Sequence, residues 1–183
     1  MKILVTGFKP YQDHATNPSE ELLALLGNDV EKAVLDVSYS KAPKQLLKAI
    51  GQSEADAVVI LALSPYIDTP ALEQYAYNDM DSPSPDNEGV IKSGGSEIVK
   101  GGAPTLLPPF DVATIAQYGA AQGLYGHVSL EPGKYVANAV YYLALSSGTP
   151  AVMVHIPQTS KLPLNESLAT VKFVIEYIRG DDF

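Results

Sequence analysis

The sequence predicts a three-layer α/β/α sandwich around a mostly parallel twisted sheet, and three observations carry that expectation. Short apolar runs alternate with segments whose apolar side chains recur at helical spacing, the pattern of strands buried on both faces under amphipathic helices. The chain has 183 residues, 46% hydrophobic and 18% charged, a globular composition able to bury roughly 70% of its unfolded surface in one domain. No internal repeat, low-complexity block or linker divides it, so a single domain over residues 1–183 is expected.

The elements follow in order. Ile3-Leu4-Val5-Thr6 is a β-branched apolar run closed by Gly7 and reads as the first strand. Asn17-Pro18-Ser19-Glu20 is a helix start, with a capping residue and a proline in the first turn, and Leu22, Leu23, Leu25 and Leu26 supply the apolar side of a helix over 19–26. A strand over 33–38 and a helix over 43–50 come next. Residues 57–63 form the longest apolar run and predict a central strand. Residues 79–109 hold Pro83, Pro85, Pro104, Pro108 and Pro109 with several glycines, which excludes a regular helix and predicts an excursion with a hairpin around Gly94-Gly95. Beyond it the spacing predicts a helix over 112–121, a short strand over 127–130, a helix over 134–145, a strand over 151–156 and a last helix over 166–179.

Charge and composition exclude several function classes. Twelve Lys and Arg stand against 21 Asp and Glu, a net charge of −9 with no cationic cluster, so neither nucleic acid nor an anionic membrane is an expected partner. The absence of cysteine removes disulfides, thiolate metal sites and cysteine nucleophiles. No segment approaches the ~20 apolar residues of a membrane span, and the opening apolar run is too short for a signal peptide. A cytoplasmic location is therefore expected.

Among the histidines, His14 falls in a polar loop and His127 at the start of a short strand. His155 is different: it closes the apolar run from Ala151, just before Pro157, at the carboxyl end of a strand, where ligands collect in open α/β sheets. Glu73 and Glu88, in irregular segments with few charges nearby, are the acids to consider beside it. A solvated surface role is the competing reading for each. No His or carboxylate spacing suggests a metal site, and Gly7-Phe8-Lys9-Pro10 lacks the glycines of a phosphate loop, so no cofactor is expected.

Several blocks together resemble the pyroglutamyl peptidase I (pyrrolidone-carboxylate peptidase) family: the opening KILVTGFKP, Asn17-Pro18-Ser19, Glu73-Gln74-Tyr75-Ala76-Tyr77-Asn78, Pro85-Asp86-Asn87-Glu88-Gly89, Gly102-Ala103-Pro104-Thr105, Gly133 to Asn138, and Val154-His155-Ile156-Pro157. The likeness covers nearly the whole chain in order. It implies a pyroglutamyl-peptidase type of α/β fold, a cytosolic and often homo-oligomeric protein, and a Cys-His-acid triad that removes an amino-terminal pyroglutamate. Within it Glu73 matches the acid and His155 the base. The nucleophile of the G-x-Y-x-C-N pattern falls at Ala137.

Alanine has nothing for His155 to deprotonate, and losing the nucleophile of a comparable triad costs on the order of 10⁶ in turnover. The neighbouring motifs differ too. The F-x-P-F-G-G opening, whose rings flank the pyroglutamyl ring, reads Phe8-Lys9-Pro10-Tyr11-Gln12-Asp13; the P-G-R loop reads Pro65-Tyr66-Ile67; and S-N-S/T-A-G reads Ser129-Leu130-Glu131-Pro132-Gly133. Natural divergence explains these changes better than one designed Cys-to-Ala substitution. Three readings result: an enzyme repurposed for acid/base chemistry by Glu73 and His155 on a small cyclic or amide-bearing ligand; a pseudoenzyme that binds a peptide end or metabolite; and an inactive variant of an ordinary pyroglutamyl peptidase. On the resemblance, Phe8, Tyr11, Tyr66, Asn78, Asn87 and Asn138 are the expected ligand-binding residues.

Overall fold

The computed structural model describes residues 1–180. The chain runs β1 (Ile3–Phe8), α1 (Pro18–Leu25), β2 (Glu31–Leu35), α2 (Ala42–Ser53), β3 (Ala57–Leu63), β4 (Ala71–Glu73), β5 (Ala76–Tyr77), β6 (Thr105–Leu106), α3 (Val112–Ala121), β7 (His127–Ser129), α4 (Val136–Ser146), β8 (Ala151–Ile156) and α5 (Leu164–Arg179). Six strands form one sheet in the order β2, β1, β3, β8, β4, β7. Neighbours are parallel except at β8 and β4, which are antiparallel. The expected α/β architecture with a mostly parallel sheet is the one found.

Strands β1 and β3 are buried along their whole length, as strands covered on both faces must be. Alternate side chains divide between two cores. Val5, Val59, Leu61 and Val154 pack against Leu22 of α1, Ile115 of α3 and Phe173 of α5. Leu4, Ile60, Ala62 and Met153 meet Leu46 of α2 and Val140 and Tyr141 of α4.

Local chemistry sets the element ends. Asn17 Oδ1 accepts the Ser19 amide at 3.0 Å and its hydroxyl at 2.8 Å, capping α1 one residue before Pro18. Asp111 caps α3 by accepting the amides of Ala113 and Thr114, each at 3.1 Å. The second strand ends at Leu35 instead of 38, because the Asp36 amide donates to Gln45 of α2 at 2.8 Å and leaves the ladder. The fourth helix starts at Val136 rather than 134, since Gly133 adopts a left-handed φ of 73° and Tyr135 is extended. Strand β4 was not expected; three residues are too few for any periodicity. In the excursion, Met80 and Ser96 exchange backbone hydrogen bonds at 2.8 and 3.2 Å and Ser82 bridges Lys92, a hairpin whose turn lies at 86–90, where the Gly89 amide donates to the Asp86 carbonyl at 3.0 Å. Gly94 and Gly95, both at positive φ, fall in its returning arm rather than at the turn the sequence predicts. Beyond it, β6 pairs antiparallel with β5.

Candidate active site

In the ladders, His155 stands opposite Ala62 of β3 on one side and Ala71 of β4 on the other. Side chains alternate across a sheet, so Glu73, two residues beyond Ala71, lies on the face of His155 and reaches it from the β4 flank. His155 Nδ1 and Glu73 Oε1 are 2.6 Å apart, with side-chain exposures of 11% and 1%. The Tyr141 hydroxyl donates to the Glu73 carbonyl at 3.1 Å, pinning β4 to α4. Glu73 Oε2 is buried without a hydrogen-bond partner among the described residues. With Nδ1 engaged by the carboxyl, Nε2 is the ring nitrogen left for a ligand.

Above this pair lies a cleft of about 410 Å³ whose walls include Glu73, His155, Ala137, Tyr11 and Tyr135. Ala137 is the second residue of α4, whose N-cap Tyr135 makes no side-chain cap. The first helical bond of α4 runs from the Ala139 amide to the Tyr135 carbonyl, so the amides of Val136, Ala137 and Asn138 find no carbonyl within the helix. Such a helix start favours negative charge placed beside it.

The expected ligand-binding residues divide into two groups. Tyr11 borders the cleft, and Tyr66, 91% exposed, can only form its rim. Phe8 lines a side recess of about 20 Å³, which Tyr11 and Ala137 also border; that is room for about one water. Burial, followed by the neighbouring Tyr135 and Tyr66, pushes the Tyr11 phenol up to about 12. Burial and then the Asp86 charge raise Tyr135 to about 12, against a hydrogen bond with Gln12 that lowers it. Both are therefore donors at neutral pH, and Tyr135 donates to the Pro85 carbonyl at 2.8 Å.

The three asparagines are not among the cleft walls. Asn78 Oδ1 accepts the amides of Ile98 and Val99 at 2.8 and 2.9 Å. Asn138 Oδ1 accepts the Tyr77 amide at 2.9 Å, and its Nδ2 donates to the carbonyls of Tyr77 and Asp79 at 2.9 and 3.2 Å. Asn87 Nδ2 donates to the Pro10 carbonyl at 3.0 Å. Each amide holds backbone together outside this cleft, and Asn78 also borders a second pocket of about 540 Å³. Glu88 also lies elsewhere, paired with Lys41 at 2.8 Å. His14 packs on the Tyr11 ring and His127 bonds to Thr69 at the surface.

Sequence reasoning missed Ser64, Ser129 and Glu131, which also line the cleft. Ser64 had a usable signal: it follows the apolar run 57–63 as His155 closes its own run, at a strand's carboxyl end. Glu131 also borders the second pocket of about 540 Å³, shared with Asp79, Glu97 and Lys134. Among the described residues no three His, Asp or Glu side chains gather to hold a metal ion. None of the described helices is long and apolar enough to cross a membrane.

A buried Glu-His pair joining two antiparallel strands of a mostly parallel sheet, beside an uncapped helix start, defines an α/β protein with a candidate acid/base site. Its family is identified by comparison: the pyroglutamyl peptidase family model matches residues 1–171, and the chain belongs to that family. A pyrrolidone-carboxylate peptidase from Pyrococcus furiosus is 31% identical over 170 residues, 86% of this chain and 81% of the relative. Its counterpart from Thermococcus kodakarensis is 31% identical over 177 residues, 91% and 85% of the two chains. The crystal structure of pyrrolidone carboxyl peptidase from Thermus thermophilus superposes with a TM-score of 0.87 at 31% identity, covering 95% of this chain and 98% of that one.

Proposed function

We propose that this chain is a repurposed member of its family, in which Glu73 and His155 perform acid/base chemistry on a small cyclic or amide-bearing ligand without a thiol intermediate. The observation that carries this reading is the 2.6 Å contact between His155 and a Glu73 carboxyl that is 1% exposed, at the wall of a cleft. Glu73 holds the imidazole orientation and stabilises the imidazolium that forms when Nε2 accepts a proton, the division of labour in His-acid pairs generally. The first amides of α4 supply hydrogen bonds to negative charge developing on a carbonyl oxygen. In this reading Ala137 occupies the place of the family's thiol, and a chain without cysteine has no other thiol to offer.

The test is product analysis and calorimetric binding with a pyroglutamyl amide and a panel of small lactams and primary amides. The unaltered protein should release no amine from the pyroglutamyl amide above background. On the productive ligand, His155→Gln and Glu73→Gln should each lower turnover at least 10²-fold while affinity stays within about tenfold, ~1.4 kcal/mol. Unchanged chemistry in both variants, or pyroglutamyl-amide cleavage that His155→Gln abolishes, would overturn the proposal. Binding with no turnover in the unaltered protein would instead identify a non-catalytic ligand-binding member of the family.

A further inference from the structure

We infer that Ser64 carries the hydroxyl on which His155 acts, so that Ser64, His155 and Glu73 form a nucleophile-base-acid array; this rests on the acid/base reading above. The Ser64 amide donates to the Ile156 carbonyl at 3.0 Å, carrying the β3-β8 ladder one residue past Leu63. Pro65 follows, and the residue before a proline is held in extended conformation. Alternation then puts the Ser64 side chain on the face of Ala62, and Ala62 is the ladder partner of His155. Glu73 approaches His155 from the β4 flank and Ser64 stands on the opposite, β3 flank. The carboxyl engages Nδ1, so Nε2 is the nitrogen left to act on a group in the cleft whose wall His155 shares with Ser64.

Ser64 is half-buried in the cleft wall, and its hydroxyl makes no hydrogen bond to another described residue, His155 included, so the contact with Nε2 is one that forms when substrate enters, as catalytic hydrogen bonds do in enzymes without ligand. Its competitors are placed less well. Ser129 is the ladder partner of Glu73 on the far side from His155, and its Oγ already accepts the Glu131 amide at 3.2 Å. The Tyr135 hydroxyl is engaged by the Pro85 carbonyl. Ala137 has no hydroxyl.

The substrate class that suits this array is a small carboxamide or lactam. His155 Nε2 takes the Ser64 proton as Oγ bonds to the carbonyl carbon, and the C=O π pair moves onto oxygen, beside the free amides of α4. The pair returns, the C–N bond breaks, and the departing nitrogen takes the proton from His155, leaving an acyl ester on Ser64. Water then adds, its proton passing to His155; the ester bond breaks and Ser64 recovers its proton. The sum is amide plus water giving carboxylic acid plus amine.

Because the chain lacks cysteine, Ser64→Cys introduces its single thiol, whose titration is followed by alkylation with iodoacetamide across pH. We expect a midpoint well below the ordinary ~8.5 of a free thiol, and at least a tenfold loss of alkylation rate at pH 6 when His155→Gln is added. In the unaltered chain an alkyl fluorophosphonate should form an adduct mapped by mass spectrometry to Ser64 and lost in His155→Gln. An ordinary thiol midpoint at position 64, or no Ser64 adduct, would overturn the inference. Ala137→Cys, measured alike, separates the two levels. A His155-dependent midpoint at 137 with an ordinary one at 64 removes Ser64 and keeps the acid/base pair, whereas ordinary midpoints at both positions remove both.

Discussion

Gly7 shows how one position can fix the relation of two elements. A Cβ there would stand 2.4 Å from the Ser19 carbonyl oxygen and 2.8 Å from its carbon. Those are backbone atoms held in place by the Asn17 cap and by the Phe8 amide, which donates to Ser19 Oγ at 2.9 Å. They cannot move aside as a flexible side chain would, so Gly7→Ala should cost about 1–3 kcal/mol through overpacking, read as a lower urea midpoint at unchanged slope. Asn138 makes the complementary case. It is buried completely and clasps Tyr77 and Asp79 through three hydrogen bonds, so Asn138→Ala should destabilise the chain by about 1–3 kcal/mol. A ligand-affinity loss at unchanged stability would return Asn138 to the binding role its place in the sequence suggests. Residue type explains what was legible here: a histidine and a glutamate are conspicuous in apolar or uncharged surroundings. An asparagine's amide serves backbone and ligand equally well, and sequence alone does not say which.

At the scale of elements, the long strands and helices were legible because burial on both faces leaves a continuous apolar run, as in Ala57–Leu63, and burial on one side of a helix leaves a period, as in Leu164–Arg179. Strand β4 was not, and it carries Glu73. Three residues have no period, and their strand character comes from ladders with β7 and β8, partners more than 50 residues away. The loop after Pro85 is fixed by charge rather than periodicity. The Asp86 carboxylate accepts the amides of Tyr39, Glu88 and Val90, each at 2.9 Å, and Glu88 takes hydrogen bonds from Ser38 and Ser40 and an ion pair from Lys41, at the start of α2. Lys41 first, then the serine hydroxyls, lower the Glu88 carboxyl from 4.5 to about 2. A carboxyl depressed in the folded state contributes stability above its unfolded value and loses it as pH falls through the folded one. The stability difference between the unaltered chain and Glu88→Gln should therefore be full above about pH 4.5 and shrink toward pH 2. Urea titrations at four or five pH values would measure it. A difference that stays constant over that window would mean the carboxylate does not stabilise this junction.

At the scale of the molecule, the fold and the candidate site share one feature, the polar pair buried between β4, β8 and α4. The other core residues of this sheet face are predominantly apolar, and the Glu73 carboxyl, with one oxygen bonded to His155 and the other without a partner among the described residues, interrupts them. A fold maintained for stability alone has no use for that arrangement, since apolar groups of similar volume usually match or exceed a buried polar pair, while removing one partner leaves the other stranded. The prediction has two arms. His155→Ala should lower stability by about 3–5 kcal/mol, because it takes from the Glu73 carboxyl its one hydrogen-bonding partner among the described residues. The double variant Glu73→Leu/His155→Leu should be neutral or more stable than the unaltered chain, with no chemistry left. Thermal and urea unfolding of the two variants measure both arms. A double variant as unstable as the single one would mean the pair persists as a structural clasp. A stable, inert double variant would mean the chain carries the pair at a cost in stability, as expected where Glu73 and His155 act on a ligand.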